Sequence, residues 1–426
     1  MPLPLHRLAL GVALTLTAAG CAADDTAGSD ADVAPPGGSG HGAVAGAAEV
    51  SEPPLGLTTV DPSGTVTHLD LLDESTTEIG TVGAPSAMTT DGRYLFVQTD
   101  AGVEVVDSGR WTWDHVDHFH YYRAEPRLVG TVEGDGPATV ATTNSSTTSG
   151  TGLYFADAGE AVLLDTEALS KGDLVERFRL ETEPHDGMVV PVGSFALVTA
   201  PGGAGAAGAA GAAGSAGAAG SLRGYTADGE PTGLEEPCPD ASGTLTTRVG
   251  AVVGCADGAL LATVVDDELT VERIPYPAGT TAAPATSFAN REGRPTVAAL
   301  AGPAGADGVW LLDTRQRSWT LLPAPAPLAQ VSAVDDEDEH VVALTTDGRV
   351  LVLDGADGSV LAETEPLVAA SLAAGRSPAL TTDQQRTYLS GPVERQLHEI
   401  DVADGARVAR SFTTDTEPLF TAETGR

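Results

Sequence analysis

Val66-Thr67-His68-Leu69-Asp70 is an apolar run ending in an aspartate, and the pattern returns at Val103-Glu104-Val105-Val106-Asp107 and Ala161-Val162-Leu163-Leu164-Asp165. Later copies are Val309-Trp310-Leu311-Leu312-Asp313, Val350-Leu351-Val352-Leu353-Asp354 and Leu397-His398-Glu399-Ile400-Asp401, with weaker ones ending near Asp228 and Asp266. Each copy reads as a β-strand followed by a turn, because an Asp side chain accepts a hydrogen bond from the backbone two residues on. The eight aspartates are 37, 58, 63, 38, 47, 41 and 47 residues apart. The third interval holds a Gly/Ala-rich stretch, 202–221, read as an inserted surface loop; without those 20 residues it falls to 43. Frequent Gly argues against a helix there, at about 1 kcal/mol each relative to Ala. A period of roughly 40–50 residues with about four strands per unit predicts an all-β propeller. Eight blades fit the marks better than seven. A solenoid fits less well, because too little chain precedes Asp70 for a complete first unit. The stretch 417–424 would supply the missing strand and close the ring.

Upstream of the repeats the composition changes. His6-Arg7 precedes an apolar and small-residue run, 8–19, which is too short for a permanent transmembrane helix of about 20 residues and fits the core of a signal peptide. The run ends Leu16-Thr17-Ala18-Ala19-Gly20-Cys21, small residues leading directly into a cysteine. This resembles a bacterial lipobox, with Cys21 as the acylated first residue of the mature chain; an ordinary signal peptide with a chance cysteine is the alternative. Both readings predict export, and the first adds a lipid anchor on the outer face of the cytoplasmic membrane. The organisation expected is thus a signal peptide (1–20), a flexible Ala/Gly/Asp/Ser/Pro tether (21–51) and a propeller (52–426), acting as a monomer.

Sixty acidic residues against 22 basic ones give a formal charge of −38. A polyanion of this kind does not bind nucleic acid, whose phosphates demand positive surface. Docking on anionic lipid is disfavoured for the same reason, which leaves anchoring to the acyl chain. Cys238 and Cys255, the two cysteines of the mature chain, are expected to form a disulfide in an oxidising compartment. Their 17-residue spacing closes a loop worth roughly 3 kcal/mol in the chain-entropy model. A thiolate metal site is the other reading of that pair.

Chemistry concentrates in one place. Three of the nine histidines fall in Asp114-His115-Val116-Asp117-His118-Phe119-His120-Tyr121-Tyr122-Arg123, inside the 58-residue interval. Imidazoles and carboxylates at such short spacing converge readily on a borderline-soft ion such as Zn2+. On an extended segment His118 and His120 share a face, and His115 joins them through a turn. Asp114 and Asp117 would fix the imidazole tautomers. His185, in Glu183-Pro184-His185-Asp186-Gly187, sits in a connection between an outer strand and the next inner one and is a further candidate ligand, with His115 or Asp186 completing a tetrahedral set. The competing reading is a solvated polar hairpin, with His185 a turn residue. His68 and His398 occupy equivalent strand positions, which points to packing. No nucleophile elbow, phosphate loop or dinucleotide fingerprint occurs, so an enzyme is not expected.

The segment 114–130 with its His-Tyr-Tyr core resembles the AztD zinc metallochaperones. Similar stretches are 159–165, 183–193, Cys238 with Gly254-Cys255-Ala256-Asp257-Gly258, and 399–426. The resemblance implies an extracytoplasmic β-propeller that binds Zn2+ and passes it to the solute-binding protein of a zinc ABC importer. The chain departs from the family pattern at Thr139, Asp186 and Ser242, where that pattern has histidine. Asp186 retains a donor oxygen, whereas Thr139 and Ser242 are poor ligands. Those departures motivate a second hypothesis, a metal-free interaction scaffold at the cell surface. A metal-dependent hydrolase is a third, with no residue set to support it beyond the histidines.

Overall fold

The computed structural model describes residues 42–114, 118–202, 217–384 and 386–426. The protein is all-β in the unit 41–426, with short antiparallel sheets following one another along the chain. Among the described residues, each of the eight aspartate marks falls in or just after the third strand of its own sheet. Thr65–Asp70, Gly102–Asp107, Glu160–Asp165 and Gly217–Thr226 are the first four of these third strands, and Gly258–Val265, Gly308–Asp313, Val350–Leu353 and Gln396–Asp401 the rest. In the sheet built on Thr296–Ala301, Gly308–Asp313 and Ser318–Leu322, the first strand is reduced to isolated bridges, Ala289 to Ala298 and Ala285 to Ala301.

The aspartates do what the repeat predicts. Oδ1 of Asp70, Asp107, Asp313 and Asp354 accepts from the backbone N–H two residues on, at 2.8–2.9 Å. Asp165 instead accepts from Ala168 N at 3.0 Å and caps a one-turn helix, Thr166–Ser170. The sheets bury nearly continuous apolar strands, Tyr94–Thr99 and Gly150–Phe155 among them, because both faces of a strand pack on neighbouring sheets.

Phe420–Thr424 pairs antiparallel with Gly56–Val60, so the end of the unit completes the sheet begun at its start. The contact is specific. Thr58 Oγ1 lies 3.0 Å from Thr424 Oγ1 and 2.9 Å from Nδ1 of buried His68. The His68 ring lies against Gly56, where a Cβ would fall 2.1 Å from Cε1 and 2.7 Å from Leu69 O, so glycine is required there. Cys238 and Cys255 are bonded, and they sit within an apolar cluster with Ala219, Leu222 and Leu260.

Two boundaries read from the sequence move. Ala48–Val50, inside the stretch read as tether, is a strand, because its backbone finds a partner in Phe119–Arg123. Residues 217–221 of the Gly/Ala tract belong to the strand Gly217–Thr226, drawn in by burial of Ala219 and by bonds from Cys238 N to Gly220 O and Ala241 N to Ala219 O. The signal peptide, Cys21, the tether as far as residue 41, and 203–216 lie outside the described residues.

Burial holds the His68 imidazole at about 3, so the folded state binds fewer protons than the unfolded chain between there and the ordinary value near 6.5. Stability contributed by neutral His68 is therefore lost as pH falls through that window. The melting-temperature advantage of the parent over His68→Gln should shrink steadily from pH 7 to pH 4.5 in calorimetry; a constant advantage contradicts it. Arg93 and Asp107 form a bidentate pair, 2.9 Å at both contacts and almost wholly buried. Asp107→Ala strands a buried guanidinium and should cost about 3–5 kcal/mol in urea denaturation.

Candidate functional site

The 58-residue interval contains a hairpin inserted between the third and fourth strands of one sheet, Arg110–Asp114 and Phe119–Arg123. Ala48–Val50 adds to its open edge to make a three-stranded sheet. Aromatic pairs across the hairpin hold it rigid: Trp111 stacks on Tyr122 at 5.3 Å and Trp113 tilts against His120 at 6.1 Å. Trp111 also lies 3.8 Å above the Arg93 guanidinium and donates from Nε1 to Gly42 O. A backbone bond from Thr112 N to Arg426 O and a side-chain bond from Thr112 Oγ1 to Gly425 O, both 2.7 Å, tie the hairpin to the strand that completes the first sheet. An ion pair from Arg123 to Asp70 adds a second tie.

His118 and His120 lie two residues apart on this extended segment, and their rings meet. The two Nε2 atoms are 3.0 Å apart and the ring centroids 4.8 Å. Two nitrogens bound to one tetrahedral Zn2+ at about 2.05 Å would be about 3.3 Å apart, so the pair needs little adjustment to share an ion. On the far side of His120, Nδ1 lies 2.7 Å from Glu49 Oε1. A carboxylate on the second ring nitrogen is the arrangement that orients a ligating imidazole and raises its basicity. Glu49 was missed in the sequence because it stands in a Gly/Ala-rich stretch; the alternation Ala48-Glu49-Val50 before Pro53-Pro54 is the faint strand signal that marks it.

Asp114 ends the first hairpin strand opposite Phe119. His115 and Asp117 lie outside the described residues. His185 is not brought to the pair. In antiparallel sheets the connections between first and second and between third and fourth strands share one end, while those leaving a fourth strand lie at the other. The hairpin uses the first end, and His185, after the fourth strand Glu176–Glu181, the second. It is fully buried, donating from Nδ1 to Glu183 O at 2.7 Å, with the Tyr154 hydroxyl 2.5 Å from the same nitrogen; Nε2 lies 2.9 Å from Thr199 Oγ1. Burial lowers its pKa and keeps it neutral. Its role is to pin the start of the next sheet. Asp186 is exposed beside it, and Thr139 and Ser242 sit on first strands of two further sheets.

His68 and His398 are buried within third strands, Nδ1 of His398 lying 2.9 Å from Ser411 Oγ, as the packing reading expects. His340 pairs with Asp336 at 2.6 Å in the acidic loop. Among the described residues no group of three or more His, Cys, Asp or Glu side chains is assembled to hold a metal. The described part of the site is therefore an imidazole pair with one carboxylate behind it.

No protein-family model matches the chain, and no curated protein sequence does. Among solved structures it is similar to AztD from Citrobacter koseri, seen in an apo structure and in a second crystal structure. Each has a TM-score of 0.71 at 18% identity, covering 87% of this chain and 97% of that one. BamB from Moraxella catarrhalis is a more distant likeness, with a TM-score of 0.44 at 12% identity over 77% of this chain and 85% of that one. Over 87% of its length the chain has an AztD-like fold, in line with the resemblance of its His-Tyr-Tyr segment.

Proposed function

We propose that this protein is an exported zinc-binding accessory protein that buffers Zn2+ or delivers it to the solute-binding protein of a zinc ABC importer. The observation that carries the reading is the convergence of His118 and His120 Nε2, with Glu49 on the back of His120. His115 is the proposed third ligand. A carrier benefits from a site on an inserted edge, because a partner can reach its ligands and compete for the ion.

The eight sheets are, in this reading, the blades of one ring closed by the pairing of Phe420–Thr424 with Gly56–Val60. Cys21 carries the lipid anchor, and the remaining tether lets the acidic domain reach a membrane-bound importer. The reading is of a metal carrier, with the described imidazole pair as ligands in place of catalytic groups.

Competition titration of the full chain with Zn2+ against a chromophoric chelator tests this. The parent should bind better than micromolar. The His118→Ala/His120→Ala double variant should lose at least about a hundredfold, and Glu49→Gln about 10–100-fold. Undiminished binding in the double variant sinks the assignment, and absence of binding by the parent favours the metal-free scaffold. Separately, Cys21→Ser should move the protein from the membrane fraction to the soluble exported fraction; retention on the membrane contradicts the anchor.

A further inference from the structure

Alternation along a strand gives the small sheet two working faces. Trp111, Trp113, His120 and Tyr122 form the face that carries the histidine pair. Thr112, Phe119 and Tyr121 point the other way, onto a cavity of about 450 Å3. That volume is within the ~300–1,000 Å3 usual for small-molecule sites.

The opposite wall of the cavity comes from loops joining first and second strands, which the topology gathers at this end. Arg248 and Arg291 stand there, in a protein of net charge −38. Other arginines lining the cavity are committed: Arg294 Nε pairs with Asp335 Oδ2 at 2.9 Å, and Arg426 pairs with Glu423. Among the described residues neither Arg248 nor Arg291 has a carboxylate within ion-pairing distance. Arg248 Nε is bound to Gly293 O at 3.1 Å, which holds the guanidinium in place. Arg291 Nη1 is buried with no hydrogen-bond partner among the described residues. Glu423 Oε1 and Arg426 Nε, which also line the cavity, are buried without partners too. Three orphaned polar atoms around one cavity are a concentration that native structures avoid unless a ligand or ordered solvent satisfies them.

The cavity also holds negative charge. Asp91, Asp114, Glu292, Asp383 and Glu423 line it, and burial pushes the carboxyls of Asp91 and Glu292 up to about 6 and about 7 respectively. A simple anion would meet the guanidiniums but also these carboxylates, and a metal cation would meet the converse. Charges of both signs beside two aromatic rings match a molecule that carries both charges and an apolar body.

We propose that this cavity binds a small zwitterion with an apolar body, the chemistry of a free α-amino acid with an aromatic or large apolar side chain. The carboxylate lies on Arg248 and Arg291 as a charge-assisted pair, the ammonium faces Glu292, and the side chain packs on Phe119 and Tyr121. The proposal is independent of zinc, and its test is run without it.

Isothermal titration calorimetry of the full chain in chelator-treated buffer at pH 7.5 uses L-phenylalanine, 3-phenylpropionate and phenethylamine as probes. Phenylalanine should bind, and each analogue, lacking one charge, should bind at least about tenfold more weakly. Arg291→Met should weaken phenylalanine by a similar factor. Phe119→Ala, at a position 56% exposed and so harmless to the fold, should weaken it several-fold. No heat up to millimolar phenylalanine, equal binding of either analogue, or parent-like affinity in both folded variants overturns the proposal.

Discussion

The hydrogen-bonded pairing of Phe420–Thr424 with Gly56–Val60 joins residues 366 positions apart, as the Thr58–Thr424 hydroxyl contact shows. The inserted hairpin takes its position from that pairing. A β-sheet leaves unpaired N–H and C=O groups at each edge, and a chain of successive sheets has one incomplete sheet at its start. The last strand completes it. His68 is the local lock: neutral, buried and bonded to Thr58, it sits on a glycine that cannot be replaced without collision.

The same strand end anchors the candidate site. Gly425 and Arg426, directly after the completing strand, receive two bonds from Thr112 and so hold the inserted hairpin against the sheets. From below, Arg93 links the hairpin to the repeat: it is gripped by Asp107, a repeat aspartate, and presents its planar face to Trp111. A planar cation over an aromatic ring in a desolvated place is a favourable contact. The histidine pair therefore stands on a rigid support although it lies on an insertion. Glu49 completes it from a strand that would otherwise be tether.

Charge is distributed unevenly in a way that serves this arrangement. Most arginines are spent in ion pairs with neighbouring carboxylates, such as Arg179 with Glu160 and Glu176 or Arg386 with Glu399 and Asp401. Pairs nearer the surface, such as those of Arg179, add little stability individually and blunt self-repulsion across an acidic surface, whereas Arg386 neutralises two buried carboxylates. Arg248 and Arg291 depart from the rule, and they do so where loops from different sheets meet under the hairpin.

The sequence by itself determined the repeat, and with it the sheets, since strand patterning and Asp-capped turns are local properties readable over five or six residues. It also determined that His118 and His120 share a face, because a two-residue spacing on an extended chain allows nothing else, and that Cys238 and Cys255 are a pair. Only the tertiary structure decided which partners come from far away. Glu49 reaches His120 across 71 positions through strand pairing that its surroundings in the sequence scarcely announce. His185, close to the histidine loop in composition, is carried to the opposite end of the sheets and consumed by Glu183, Tyr154 and Thr199. The reason is the alternation of strand direction, which sorts connections into two ends, and no local pattern reports to which end a side chain is sent.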